Sequence, residues 1–274
     1  MPPKRAAAGM KKKKPNLLVF YVTLAAVVAT MAYGLYRLDP PDWERIDIDR
    51  EGVVGEPSGL ALHPDRGTLF VVGDEGVLAE MTTQGKVVRR TALGGDLEGV
   101  AVDPDRSVLY VLDEGGVCLL VADWNDLSLK ETIDLKPILA RGGVSPDSGI
   151  GLEGVAYQPG KGGEGALWIA TQRDPVRLFR LSVEDSPFRV RLDGFHDASL
   201  SEISDLTVDP KTGLLMALSD EEDRLASLTQ EGKVLLSKPI PGANQEGVAL
   251  SPNGDLFIAE DSGGVFRYPG GRTP

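Results

Sequence analysis

The sequence predicts an all-β protein, a five-bladed β-propeller preceded by one transmembrane helix. Three observations carry this. A short segment recurs five times, as PSGLAL (57–62), LEGVAV (97–102), LEGVAY (152–157), ISDLTV (203–208) and QEGVAL (245–250). Its copies are 40, 55, 51 and 42 residues apart, counted from Ser58, Glu98, Glu153, Ser204 and Glu246. A long uncharged run precedes all of them. Periods of 40–50 residues with several short strands per unit are the mark of a propeller.

The amino terminus comes first. Lys4, Arg5 and Lys11 to Lys14 form a basic tail over residues 1–15. Residues 16–36 carry no charge and are mostly apolar. As a helix those residues span about 30 Å, the thickness of a bilayer's hydrocarbon core. The basic tail places the amino terminus in the cytoplasm and the rest across the cell membrane, in the periplasm or its equivalent. A cleaved signal peptide is the alternative. Its apolar region is normally shorter, and Thr30-Met31-Ala32 is a poor cleavage site. Residues 37–42 form a linker, and residues 43–274 the propeller.

Charge separates these parts. The first 37 residues hold seven of the 29 basic residues and none of the 41 acidic ones. The remainder therefore has 22 basic against 41 acidic residues, a net charge of −19. Such a domain does not hold nucleic acid by charge, but it can hold cations. Cys118 is the only cysteine, so no intramolecular disulfide forms. The fold depends on its core.

Each copy continues the same way. A proline turn follows, at Pro64, Pro104, Pro159, Pro210 and Pro252. Then a second strand opens on leucine: LFVV (69–72), LYVL (109–112), LWIA (167–170), LMAL (215–218) and LFIA (256–259). The large residues after that leucine are Phe70, Tyr110, Trp168, Met216 and Phe257, which read as core. Residues 77–83 and 86–93, and again 224–230 and 233–240, supply third and fourth strands around tight turns. The last copy lacks a fourth strand. Residues 43–50, WERIDIDR, alternate Ile46 and Ile48 with charges, as a half-buried strand does. They are expected to complete the last blade and close the ring. Residues 136–150 read as a surface loop between blades two and three. His63 in a turn and His196 between blades read as surface residues.

The chemistry concentrates at one end. The inner strand of each blade lines the channel. Glu98, Glu153 and Glu246 hold one position in three blades, each before a glycine. Ser58 and Ser204 hold it in the others, with Asp205 beside Ser204. The ends of the second strands add Asp74 and Glu75, Asp113 and Glu114, Gln172, Asp220 and Glu221, and Glu260 and Asp261. Antiparallel pairing brings both sets to one mouth. Three glutamates converging there repel, so they bind protons or surround a cation. Hard oxygen donors suit Ca²⁺. The candidate metal set is Glu98, Glu153, Glu246, Ser204, Asp113 and Asp220. Alternatively, each glutamate caps nearby backbone amides.

Three motifs carry no chemistry. The G-x-G-x-x-G match at residues 149–154 leads into a strand, so no helix terminus awaits a phosphate. Asp261-Ser262-Gly263-Gly264 lacks a histidine in matching context. Asp103-Pro104-Asp105 lacks the rest of an EF-hand loop.

DLEGVAV, GLEGVAY, EISDLTV and NQEGVAL, in that order behind one anchor, resemble the SdiA-regulated, YjiK-like family. The resemblance covers residues 43–268. It implies a five-bladed propeller, distantly related to NHL repeats, with a calcium ion at a site shared within the family. Carried over by position, its ligands are Glu98, Glu153 and Glu246. Where the first blade could offer another glutamate, this chain has Pro57-Ser58-Gly59. Two function classes follow. One is a membrane-tethered module, held through residues 16–36, whose calcium-stabilised face binds a protein or envelope ligand. The other is a calcium-dependent hydrolase, similar to gluconolactonases, with Asp113, Glu114 or Asp220 as base.

Overall fold

The computed structural model describes residues 43–46, 54–145, 151–185, 187–240, 242–261 and 263–270. The predicted tail, span and linker over residues 1–42 lie outside them. Among the described residues no helix is long and apolar enough to cross a membrane.

Five antiparallel four-stranded sheets make the domain. Blade one is β2 (Pro57–Leu62), β3 (Leu69–Gly73), β4 (Val77–Met81) and β5 (Val87–Ala92). Blade two is β6 (Leu97–Asp103), β7 (Val108–Asp113), β8 (Cys118–Asp123) and β9 (Leu129–Asp134). Blade three is β10 (Leu152–Gln158), β11 (Ala166–Thr171), β12 (Arg177–Asp185) and β13 (Phe188–Asp197). Blade four is β14 (Asp205–Val208), β15 (Leu215–Ser219), β16 (Arg224–Leu228) and β17 (Val234–Pro239). Blade five is β18 (Gln245–Leu250), β19 (Leu256–Glu260) and β20 (Gly264–Tyr268), completed by β1 (Glu44–Ile46). The inner strands β2, β6, β10, β14 and β18 touch in a closed cycle.

The closing strand lies where the alternation of Ile46 with charges places it. Glu44, Arg45 and Ile46 pair with Arg267, Phe266 and Val265. Ile46 is buried and Glu44 and Arg45 are exposed. The rest of the expected strand, residues 47–50, is outside the described residues.

The core is five seams rather than one centre, because each sheet buries both faces against its neighbours. Phe70 packs in the seam between blades one and two, and Tyr110 in that between two and three. Trp168, Met216 and Phe257 follow in turn around the ring. All five are buried. One such side chain contributes roughly 1.5–3 kcal/mol through burial. The outer strands β5 and β13 alternate half-buried and exposed residues, as a sheet with one solvated side must.

Two expectations need correction. The insertion after β9 is not wholly a surface loop. It opens with a short helix, α1 (Lys136–Arg141), whose Ile138 and Leu139 are buried in the seam between blades two and three. Apolar residues at adjacent positions, with Pro137 in the first turn, suit a helix that caps a seam. Residues 146–150 lie outside the described set. His63 is likewise no surface residue. It is buried and stacks on Trp124 with ring centroids 4.5 Å apart. Its Nδ1 accepts hydrogen bonds from the amides of Asp65 and Arg66, at 3.2 and 3.3 Å. Asp103 does the same for Asp105 and Arg106 in the next blade. Asp209 and Ser251 serve the equivalent turns of blades four and five. His63 is thus a turn cap in the place of an aspartate. His196 is exposed, as expected, but it sits on β13 rather than in a loop.

Candidate functional site

An innermost strand is a sheet edge that faces the axis. In blades one, two, three and five this edge carries an irregularity at the repeated motif. The pairing skips between Pro57 and Gly59, Leu97 and Val100, Leu152 and Val155, and Gln245 and Gly247. An extra residue there bends the strand and redirects a side chain. Ser58, Glu98, Glu153 and Glu246 stand at these four places.

The glycine that follows is required by close approach. A Cβ on Gly59 would collide with the carbonyl oxygen of Glu98, and one on Gly99 with that of Glu153. Gly154 lies against the backbone at Leu206, and Gly247 against that of Ser58. Gly59, Gly99 and Gly247 thus lean on the next blade's site residue, and Gly154 leans on Asp205 and Leu206. Blade four is the exception: Asp205 occupies the glycine position, and β14 pairs with β15 without a skip.

The structure brings Glu98, Glu153 and Glu246 into one electrostatic group. Burial pushes the Glu98 carboxyl up to about 8, helped by the charges of Asp74, Asp96, Glu114 and Glu246. Burial raises Glu153 to about 10, with Glu98, Glu114 and Glu246 as further causes and a hydrogen bond to Glu98. Glu246 rises to about 7, again through burial first and then Asp261, Asp220, Glu202 and Asp74. Glu98 and Glu153 thus hold protons at neutral pH unless a cation takes their place.

Glu98 forms the tightest cluster. Among the described residues, Asp74, Asp96 and Glu98 can place one oxygen each within 4.8 Å of one another. Ser58 donates its hydroxyl to Asp74 Oδ1 at 2.6 Å, so blade one contributes through a serine and a neighbouring aspartate. Asp220 accepts the Gln245 amide at 3.0 Å, and its charge reaches Glu246. The other two candidates make structural bonds. Asp113 accepts the amides of Asp96 and Gly116, both at 3.1 Å, which fixes the turn after β7. Ser204 donates to the Gln245 carbonyl at 2.8 Å, tying blade four to blade five.

Asp96 and Glu202 were not among the expected site residues. Each stands two positions before its blade's site residue. Alternate residues of an extended chain share a side, so this spacing is the signal that could have found them. Burial raises Asp96, with Asp74 and Asp113 adding to it. Glu202 is fully buried, and its Oε2 accepts Ser219 Oγ and the Glu221 amide. Its Oε1 has no hydrogen-bond partner among the described residues. The donor set fits a hard divalent cation: it is all oxygen, partly buried, and repels itself when empty of positive charge.

Deeper on the axis lies the Asp205 carboxyl, wholly buried. Oδ1 accepts the Leu206 amide at 2.7 Å and Oδ2 the Val248 amide at 2.8 Å. The amides of Val155 and Leu60 also favour its charged form. Burial raises this carboxyl and the four amides oppose the rise. At the other mouth an apolar cavity of about 180 Å³ is ringed by Pro64, Pro104, Pro159, Pro210 and Pro252.

Comparison with known proteins agrees with this architecture. The profile of the SdiA-regulated family matches residues 43–266. The glutaminyl cyclase of Myxococcus xanthus is similar in structure at a TM-score of 0.59 and 18% identity, over 82% of this chain and 93% of that one. A nidogen–laminin complex contains a chain similar at a TM-score of 0.50 and 16% identity, over 75% and 73%. At these identities the likeness is one of fold. The family match covers most of the chain, and the chain belongs to the SdiA-regulated family.

Proposed function

We propose that this member of the SdiA-regulated family is a membrane-tethered, calcium-binding propeller of the cell envelope, acting as a binding module. The observation that carries the metal is the group of Glu98, Glu153 and Glu246. Burial and mutual repulsion push all three carboxyls up. A divalent ion at the acidic mouth relieves that repulsion. Asp74 and Asp96 join Glu98 around it, with Asp220 beside Glu246. Bound calcium supplies positive charge that fixes the inner strands of several blades to one another. The protein's own part is to hold the carboxylates, through the bulges and the glycine contacts, at one end of the axis. The net charge of −19 after the first 37 residues supports a cation there.

Binding is preferred to hydrolysis for a specific reason. Two of the three carboxylates available as a base accept backbone amides. Asp113 takes Asp96 and Gly116 and Asp220 takes Gln245, while the Gly151 amide favours the charge of Glu114. Such groups are fixed in structural roles and are weak candidates to abstract a proton. The tether rests on the uncharged run at residues 16–36 after the basic tail.

Two measurements test the proposal. Isothermal titration of the propeller with calcium should give saturable binding that chelator abolishes. The full-length protein should remain with membranes through alkaline carbonate extraction, its propeller open to protease from outside. Absence of calcium binding removes the metal, and a soluble mature form removes the tether. A panel of lactones should show no calcium-dependent turnover.

A further inference from the structure

The inner edges of a propeller pose a problem that its blades cannot solve by themselves. Every second amide on an innermost strand points away from its own sheet toward the axis. There it meets no strand, because the five inner edges converge without pairing as a sheet. A buried amide without an acceptor is destabilising. The residues concerned follow the repeated glycine: Leu60, Val155, Leu206 and Val248 belong to blades one, three, four and five. The Leu206 and Val248 amides hydrogen-bond to the Asp205 carboxyl, and the Leu60 and Val155 amides also favour its charged form. Asp205 stands at the one place where the repeat departs from glycine.

We propose that the axial amides form a carboxylate-binding ring, which the chain fills with its own Asp205. A carboxylate suits the place because two oxygens offer about four acceptor positions and no donor. The side chain is short and fully buried, at the start of β14. Asp205 acts here as an internal ligand that pins blade four to blade five and draws on amides of blades one and three. It also divides the axis. On one side are Glu98, Glu153 and Glu246. On the other is the apolar cavity, whose lining starts at Leu60, Val100, Val155 and Leu206 and does not include Asp205. A solute entering the acidic mouth therefore meets a filled ring and does not pass through to the proline mouth. None of this depends on whether calcium binds.

The test is to empty the ring and refill it. Asp205→Gly restores the residue used by the other four blades and removes the carboxylate. The full propeller carrying it should melt roughly 5–10 °C below the parent, since several buried amides lose their acceptor. Sodium formate should recover at least half of that loss in the variant and leave the parent unmoved. Formamide, similar in size but uncharged and bearing donors, should not. Asp205→Asn keeps the volume, so formate cannot enter, and its melting point should stay low in formate. A glycine variant as stable as the parent overturns the proposal, as does formate acting equally on parent, glycine and asparagine variants. Should Asp205→Gly fail to fold even in formate, native hydrogen exchange on the parent decides. Protection of the Leu60, Val155, Leu206 and Val248 amides to the level of global unfolding supports the ring. Exchange of these amides as fast as those of exposed turns refutes it.

Discussion

Ile46 faces Val265 across the seam that joins the first strand of the propeller to its last. Ile46 is buried there, and beside it the Trp43 ring meets Phe266 edge-on at 4.8 Å between centroids. Among the described residues three residue pairs join β1 to β20, fewer than in any other strand pairing. Ile46→Ala should cost about 2–4 kcal/mol, as a buried large-to-small change does. A chain beginning at Gly52 should lose more and expose the edge of β20 to aggregation. Calorimetry of the two chains against the parent measures this. Equal melting points would mean that β1 contributes nothing to closure.

Calcium should stabilise the folded protein by mass action, by about 2.7 kcal/mol at a hundredfold excess over its dissociation constant. Glu153→Gln keeps the shape and removes one of three mutually repelling charges. The variant should lose most of the calcium-induced rise in melting temperature. In chelator it should be at least as stable as the parent. Equal calcium shifts in both proteins would take Glu153 out of the site.

The same carboxyls predict a pH dependence of defined sign. Glu246, Glu98 and Glu153 lie at about 7, 8 and 10 in the folded protein, against an ordinary 4.5. Their raised values mean that the folded state holds more protons than the unfolded chain above pH 4.5. Stability from these groups is full below that value and is lost as pH rises through about 7, 8 and 10 in turn. Melting temperature in chelator should therefore fall from pH 5 to pH 9. Carboxyls held low, such as Glu80, titrate below this window. The gain on adding calcium should be larger at pH 8 than at pH 6, because fewer protons are displaced. A chelated protein that gains stability toward pH 9 would contradict the assignment.

His63 should be replaceable by a residue that caps a turn. Asn keeps an acceptor for the Asp65 and Arg66 amides, whereas Ala leaves both without one. His63→Ala should cost about 2–3 kcal/mol, combining the lost cap and the lost stacking on Trp124. His63→Asn should cost clearly less. Urea melts of the two variants compare them directly.

The fold was legible because one strand–turn–strand unit repeats with its turn proline and its leucine intact. Glu98, Glu153 and Glu246 were legible for the same reason, since repeat alignment fixes their equivalence. What escaped was whatever depends on how blades meet. Asp96 and Glu202 stand just before the strand copies at 97–102 and 203–208 and enter only when alternation is followed back past the first residue of each. His63 read as exposed because turns usually are, although its alignment with Asp103, Asp209 and Ser251 marks it as a cap. Asp205 was visible beside Ser204 as a departure from glycine. Its partners come from blades up to 145 residues away in sequence, as Leu60 shows, and no local pattern connects them.

The single aspartate among four glycines limits how symmetric this molecule can become. A gene assembled by duplicating any one of the glycine-bearing blades five times would fold each wedge correctly and still leave the hub without an acceptor. Five copies of the aspartate-bearing blade would crowd five like charges into the same space. Exchanging blade four for any other therefore does more harm than exchanging two of the remaining blades. Idealised five-fold designs on this scaffold need one deliberately odd subunit, or a small anion supplied from solution.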